Sequence, residues 1–339
     1  MAQHFLLSSA ARSLSMMKLY SMSDDEAFEV FKTVRWYNTN GVPVCPKCGT
    51  VGSYFIKSRK QFRCRDLQCN HTFSVTSGTI FASNKKPLKI YLIAIALFVN
   101  SVKGISALQL SRELEVQYKT AWVLAHKIRE SLMNHKDDSK LSGTCEIDGV
   151  YVGNYIRPKN FIHNRIDRRK VYKKNKRTII SIRQRVPIES DLKGAIRTKT
   201  FVTKGEDFEQ IKDIVYENVE IGTEIHSDEH IGYDPFIAHY DLKRVNHSEE
   251  YCSVYGDNNN QCESYNARFR RLMKGQCHRL SVLYLSNYAN EIAYREDTRR
   301  MDNKAIFDDI LSKCLGSPVS NEFCGYWQGN KRVVERLGV

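Results

Sequence analysis

A chain of 339 residues with 52 Lys and Arg against 38 Asp and Glu carries a formal net charge of +14 and is longer than one small core requires, so two or three domains are expected. Hydrophobic residues at 42% beside 27% charged residues exclude a disordered or collagen-like chain. No apolar run reaches the roughly 18 residues of a membrane span, and the basic excess favours a polyanionic partner.

The first 22 residues are Ser-rich and free of acids, with Arg12 and Lys18 but no long apolar core of a secretory signal. They faintly resemble a mitochondrial transit peptide; the plainer reading is the amphipathic start of an N-terminal helical segment, 1–40. Residues 23–36 predict a helix, with Ser23 as N-cap, Glu26 completing a capping box, and Phe28, Val30, Phe31, Val34 and Trp36 on an apolar face.

A second segment, 41–84, holds four of the ten cysteines. Cys45-Pro-Lys-Cys48 and Cys64-Arg-Asp-Leu-Gln-Cys69 lie fifteen residues apart, the sequence form of a tetrahedral four-cysteine zinc site. Clustered thiols in a reducing compartment suit a metal better than disulfides. All four ligands are protein groups, so this Zn2+ is structural, with His71 as a spare nitrogen. Lys57, Arg59, Lys60, Arg63 and Arg65 thread the module beside Tyr54, Phe55 and Phe62, a composition suited to nucleic acid.

Segment 85–136 predicts a buried helix over 87–99 and two further helices over 104–114 and 119–133, with a short turn between the latter two. Leu108, Leu110 and Leu114 pack the first of this pair, and Trp122, Val123 and Ile128 the second. The pattern reads as a helix-turn-helix whose second helix presents Gln117, Lys119 and Thr120 to DNA. An ordinary helical hairpin has the same spacing; the net charge and the adjacent cysteine module favour the DNA-binding reading.

After a polar linker at 134–142 the apolar period becomes two, opening an α/β domain over 143–300. Strands are expected at 145–152, 178–183, 194–202 and 223–226, a helix at 208–219, and helices again from Glu263, the clearest over 280–295. Between the first two strands, 159–177 carries nine Lys and Arg opposed by Asp167 alone. Arg168, Arg169, Lys170, Lys173 and Lys174 in it are candidate DNA contacts. Residues 301–339 read as a C-terminal tail.

The domain's acids are the chemical signal. Glu146 and Asp148 share a strand face, and Asp228 ends a later strand. Glu263 follows 35 positions on, at the start of a helix. Three carboxylates from two strands and a helix suit two Mg2+ ions, or Mn2+, which take oxygen ligands and are completed by substrate phosphate. Arg270, two turns beyond Glu263 on the same face, and its neighbour Arg271 are candidate contacts to the DNA backbone. For His226 packing or support of a neighbouring ligand is the default reading and for Cys145 and Cys262 a core thiol; for His247 beside Asn246 an approach to the site and no role there both stay open.

Several of these pieces occur in one order: the cysteine quartet ending in Phe73-Ser-Val-Thr-Ser-Gly-Thr-Ile-Phe81, Lys119-Thr-Ala-Trp122, Glu146-Ile-Asp148, Asn246-His-Ser248, Asn260-Gln-Cys-Glu263, Tyr288-Ala-Asn-Glu-Ile-Ala-Tyr-Arg295 and Phe323-Cys-Gly-Tyr-Trp327. From about residue 24 to 330 the chain resembles the zinc-ribbon-containing bacterial insertion-sequence DDE transposases, the ISXO2-like, Merlin-related group. The resemblance implies a multidomain α+β protein: zinc ribbon, helix-turn-helix module and a ribonuclease-H-like α/β catalytic domain. It implies Asp148, Asp228 and Glu263 as the metal-binding triad, cleavage at terminal inverted repeats of double-stranded DNA, and transfer of the 3′-OH into target DNA. It further implies a homodimer or larger oligomer on DNA, no membrane partner, and a cytoplasmic, nucleoid-associated location in a bacterium. The widened Cys64–Cys69 pair departs from the family pattern. A domesticated, non-catalytic DNA-binding regulator is the alternative, and a structure-selective nuclease on the same fold a third reading.

Overall fold

A computed structural model of the chain describes residues 8–153, 159–167, 175–187, 189–190, 192–244 and 258–338. It divides into two compact units, one of Met1–Lys136 with Thr298–Arg332, the other of Asp137–Asp297 with Val333–Val339.

The first unit begins with α1 (Met16–Ser21) and α2 (Asp24–Arg35). The predicted capping box is present: the Glu26 N–H donates to Ser23 Oγ at 3.2 Å, and the Ser23 N–H donates to Glu26 Oε2 at 2.7 Å. A three-stranded sheet follows, β1 (Ser53–Ile56), β2 (Gln61–Cys64) and β3 (Thr72–Phe73), antiparallel throughout. Helix α2 does not stand apart from this sheet. Phe28 packs on Phe55 and Phe62, and Trp36 sits edge-on to Phe62 and Phe73, so the boundary expected at residue 40 runs through one aromatic core. Each fully buried ring of this kind contributes about 1.5–3 kcal/mol of burial free energy.

Helices α3 (Leu88–Asn100), α4 (Ala107–Glu113) and α5 (Tyr118–Asn134) complete the N-terminal part, close to the predicted spans. Leu110 and Leu114 are buried between α4 and its neighbours as expected, whereas Leu108 is exposed. Residues 301–339 are not a simple tail. Helix α9 (Asn303–Gly316) buries Phe307, Ile310 and Leu311 in this unit, and Phe323 lies against Trp122 and His126 of α5. Among the described residues no helix is long and apolar enough to cross a membrane.

The second unit is a five-stranded sheet of β4 (Thr144–Val152), β5 (Arg177–Arg185), β6 (Ala195–Thr203), β7 (Glu224–Ser227) and β8 (Asp241–Arg244), with spatial order β6-β5-β4-β7-β8. The first three strands form antiparallel pairs and β4-β7-β8 run parallel, the layout of a ribonuclease-H-like sheet. Period-two alternation assigns the faces. Cys145 and Ile147 of β4, Ile180 and Ile182 of β5, and Phe201 of β6 join Ile211, Ile214 and Val215 of α6 (Phe208–Asn218) in one core. The opposite face, carrying Glu146, Asp148, Ser181 and Arg183, receives α7 (Asn260–Leu272) and α8 (Leu285–Asp297). Strand β8 has only four residues, Asp-Leu-Lys-Arg, with one apolar side chain, too short for its alternation to be seen in sequence.

Candidate functional site

In the first unit the Cys45–Cys48 turn and the Cys64–Cys69 turn bring four sulfurs together, all within 4.8 Å of one another. Cys48 Sγ lies 3.5 Å from Cys64 Sγ and Cys45 Sγ lies 3.8 Å from Cys69 Sγ. Four thiolates around one zinc at about 2.3 Å stand about 3.8 Å apart, so the donor set fits a tetrahedral ion. The widened second pair is accommodated by a turn in which Asp66 Oδ1 accepts the Gln68 N–H at 2.9 Å, returning Cys69 to the site. Hydrogen bonds with Thr50 hold the Cys48 thiol down to about 6, towards the thiolate a metal takes. His71 is turned onto the Phe73 ring, outside the sulfur cluster.

In the helical part, Gln117 and Lys119 are exposed at the start of α5, and Thr120 is half-buried. The Lys119 ammonium sits 4.6 Å from the centre of the Trp327 ring, a contact sequence spacing did not reveal. Trp122 packs against Phe323 and Tyr326, so the second helix is fixed in part by the C-terminal aromatic motif.

In the second unit, parallel register matches Glu146 to His226 and Ile147 to Ser227. Asp228 follows the last residue of that strand, and its charge acts on Asp148. Asp228 is held by an Asx turn, its Oδ1 accepting the His230 N–H at 3.0 Å. Asp148 is half-buried, with Oδ1 accepting the Gly149 N–H at 2.8 Å and Oδ2 accepting the Asn266 amide at 2.6 Å. Asn266 lies one turn after Glu263, so the face of α7 that meets Asp148 also carries Glu263, which is exposed. The three carboxylates are not all within 4.8 Å of one another, a wider spread than the sulfur quartet.

A fourth acid, missed in the sequence, joins them. Glu206, just before α6, is buried and accepts the Tyr233 hydroxyl at 2.6 Å. A Cβ at Gly149 would stand 2.3 Å from its Oε1, so the glycine next to Asp148 makes room for this carboxylate. Burial, together with the charges of Asp228, Glu206 and Glu263, pushes the Asp148 carboxyl up to about 7. The Asp148 oxygens have neutral donors as partners, and the chemistry of this all-oxygen donor set fits a hard divalent cation. The sequence signals for the missed residues were slight: a glycine after Asp148, and an asparagine three positions after Glu263.

Other expected residues are distributed unevenly. Arg270 and Arg271 are exposed in the last turn of α7. Arg168, Arg169, Lys170, Lys173, Lys174 and the Asn246-His-Ser248 motif lie outside the described residues. His226 Nε2 donates to Glu224 Oε1 at 2.6 Å, Cys145 and Cys262 are buried thiols, and Arg295 is paired to Glu291 at 3.0 Å.

Residues 140–297 match the ISXO2-like transposase domain and residues 22–72 the transposase zinc-ribbon domain. A protein in transposable element ISH50 of Halobacterium salinarum is 29% identical over 136 residues, covering 39% of this chain. The match spans 42% of that relative's length. The ribbon match takes in α2, as the shared aromatic core requires. The chain thus carries a transposase zinc-ribbon domain followed by an ISXO2-like transposase domain.

Proposed function

We propose that the chain is a metal-dependent DNA transposase that binds the terminal inverted repeats of an insertion sequence, cleaves at those ends and joins the 3′-OH to target DNA. What supports this reading is the β4–β7 register, which runs up to the residues just before Asp148 and Asp228, with α7 carrying Glu263 on the helix face that meets Asp148. Asp148, Asp228 and Glu263 would hold two Mg2+ or Mn2+ ions, and the cysteine quartet one structural Zn2+. Such a cation pair supplies activation of the attacking hydroxyl or water and stabilisation of the leaving oxygen in an in-line displacement. The chain's own residues orient that site. Gly149 N–H and the Asn266 amide fix the two Asp148 oxygens, and the His230 N–H fixes Asp228. Exposed Gln117, Lys119, Arg270 and Arg271, half-buried Thr120, and the basic residues 168–174 are the proposed DNA contacts.

Joining two ends of one element calls for a dimer or larger assembly on DNA, within the nucleoid of a bacterial cytoplasm. The test is incubation of the zinc-loaded chain with labelled DNA bearing the flanking ends of its element, with Mg2+ or Mn2+, beside Asp228→Ala. End-specific nicks that the variant does not make support the enzyme. End-specific binding with no cutting by the wild-type chain overturns it in favour of a DNA-binding regulator. Cutting that ignores end sequence and yields no joined DNA points to a nuclease.

A further inference from the structure

Helix α7 carries Glu263 in its first turn, so whatever holds that turn sets the position of the carboxylate. The helix lacks a cap of its own. Its N-cap residue, Asn259, makes no side-chain capping bond, and the first N–H groups of a helix have no partner within it. The cap comes instead from strand β4. Glu146 Oε2 accepts the N–H of Gln261 at 2.7 Å and of Cys262 at 3.1 Å. These are the second and third helical positions, the donors an N-cap side chain ordinarily satisfies. A carboxylate there also meets the positive end of the helix dipole.

Glu146 itself is completely buried. Its second oxygen, Oε1, accepts from Arg185 Nε at 2.7 Å. Arg185 reaches on to Asn258, the residue before the N-cap, through the Asn258 carbonyl and Oδ1. The Asn258 N–H donates to His226 Nδ1 at 3.3 Å, and the Asn259 amide donates to the Ile147 carbonyl at 3.2 Å. The entrance to α7 is thus tied to β4, β5 and β7 within two residues of Asp148. With one oxygen on a guanidinium and the other on two N–H groups, three of the roughly four lone-pair sites of Glu146 are taken by the chain's own donors. A charge buried this completely is costly to keep unless its geometry serves a purpose.

We propose that Glu146 is a positioning residue: its carboxylate, fixed by Arg185, caps α7 from the adjoining strand and thereby sets where Glu263 stands relative to Asp148. This rests on the triad reading given above. It assigns different tasks to the two acids of the Glu146-Ile-Asp148 strand, one structural to the helix and one to the metal.

The experiment is a double-mutant cycle on Mn2+ affinity, measured by electron paramagnetic resonance on the zinc-loaded full chain without DNA. The variants are Glu146→Gln, Glu146→Ala, Glu263→Ala and the two combinations, with circular dichroism confirming the fold of each. Glu146→Gln keeps one acceptor oxygen and the side-chain shape, so it remains informative if the alanine variant does not fold. With Glu263 intact, loss of the Glu146 carboxylate is expected to weaken Mn2+ about tenfold or more, the usual cost of removing a group that orients a metal ligand. In the Glu263→Ala background the same change is expected to alter affinity less than about twofold, because the effect passes through Glu263. An equal loss in both backgrounds, or none with Glu263 intact, overturns the positioning role and leaves the triad standing. Unchanged Mn2+ affinity in Glu263→Ala alone overturns the triad reading, and this proposal with it.

Discussion

Asp148 is a destabilising charge in the metal-free protein, and its removal should strengthen the sheet in a pH-dependent way. Burial and the neighbouring acids raise its carboxyl from 3.8 to about 7. An acid raised on folding contributes stability that is fully present below its unfolded value and lost as pH climbs through the folded one. A shift of about 3 units corresponds to about 4 kcal/mol between the protonation states. Solvent reaches part of this side chain, and screening reduces that to roughly 2 kcal/mol.

Asp148→Asn cannot ionise, and its amide can be accepted in place. Among the described residues the buried Asn266 Oδ1 has no hydrogen-bond partner, so a flipped Asn266 presents that oxygen to the new amide. The advantage of the variant over wild type is therefore expected to grow by about 1.5 kcal/mol between about pH 5 and pH 8.5. Hydrogen exchange of β4 and β5 peptides, read by mass spectrometry, measures it within the second unit. All three tryptophans, Trp36, Trp122 and Trp327, lie in the first unit, so their fluorescence is an internal reference that should not move. Saturating Mg2+ should abolish the difference. An advantage that is the same at both pH values, or absent, refutes the reasoning.

Three further outcomes follow from the packing. Zinc analysis should find one ion per chain, and Cys64→Ser should lose it and red-shift Trp36, whose ring leans on Phe62 and Phe73. Gly149→Ala should cost about 1–3 kcal/mol in urea unfolding because its methyl meets Glu206, and Glu206→Ala in the same chain should recover part of that loss. Arg183→Met should destabilise the second unit by about 3–5 kcal/mol, again by urea unfolding, since Arg183 is fully buried against Glu296 at 3.1 Å.

Much of the fold was legible because local signals agreed with tertiary demand. Ser23 with Glu26, Pro87 before an apolar run, and the period-two residues 145–152 each became the expected element. The sulfur quartet was legible for the same reason, as ligand spacing is a local property. What could not be read depends on contacts distant in sequence. Nothing near residue 206 announces that its carboxylate will lie against Gly149, 57 positions earlier. Likewise the missing cap of α7 is supplied from 115 positions away. Residues 301–339 looked like a tail because α9 has weakly segregated faces; its apolar side chains are explained only by the helices they meet.

The reaction itself is tested most directly with a pre-cleaved element end. The zinc-loaded chain is incubated with a short duplex ending in a 3′-OH, supercoiled target DNA and Mg2+, beside Asp228→Asn and a duplex ending in a 3′-deoxy sugar. Covalent joining of duplex to target is predicted for the wild-type chain with the 3′-OH end alone. Joining that survives Asp228→Asn contradicts the account, as does a wild-type chain that binds the ends and joins nothing.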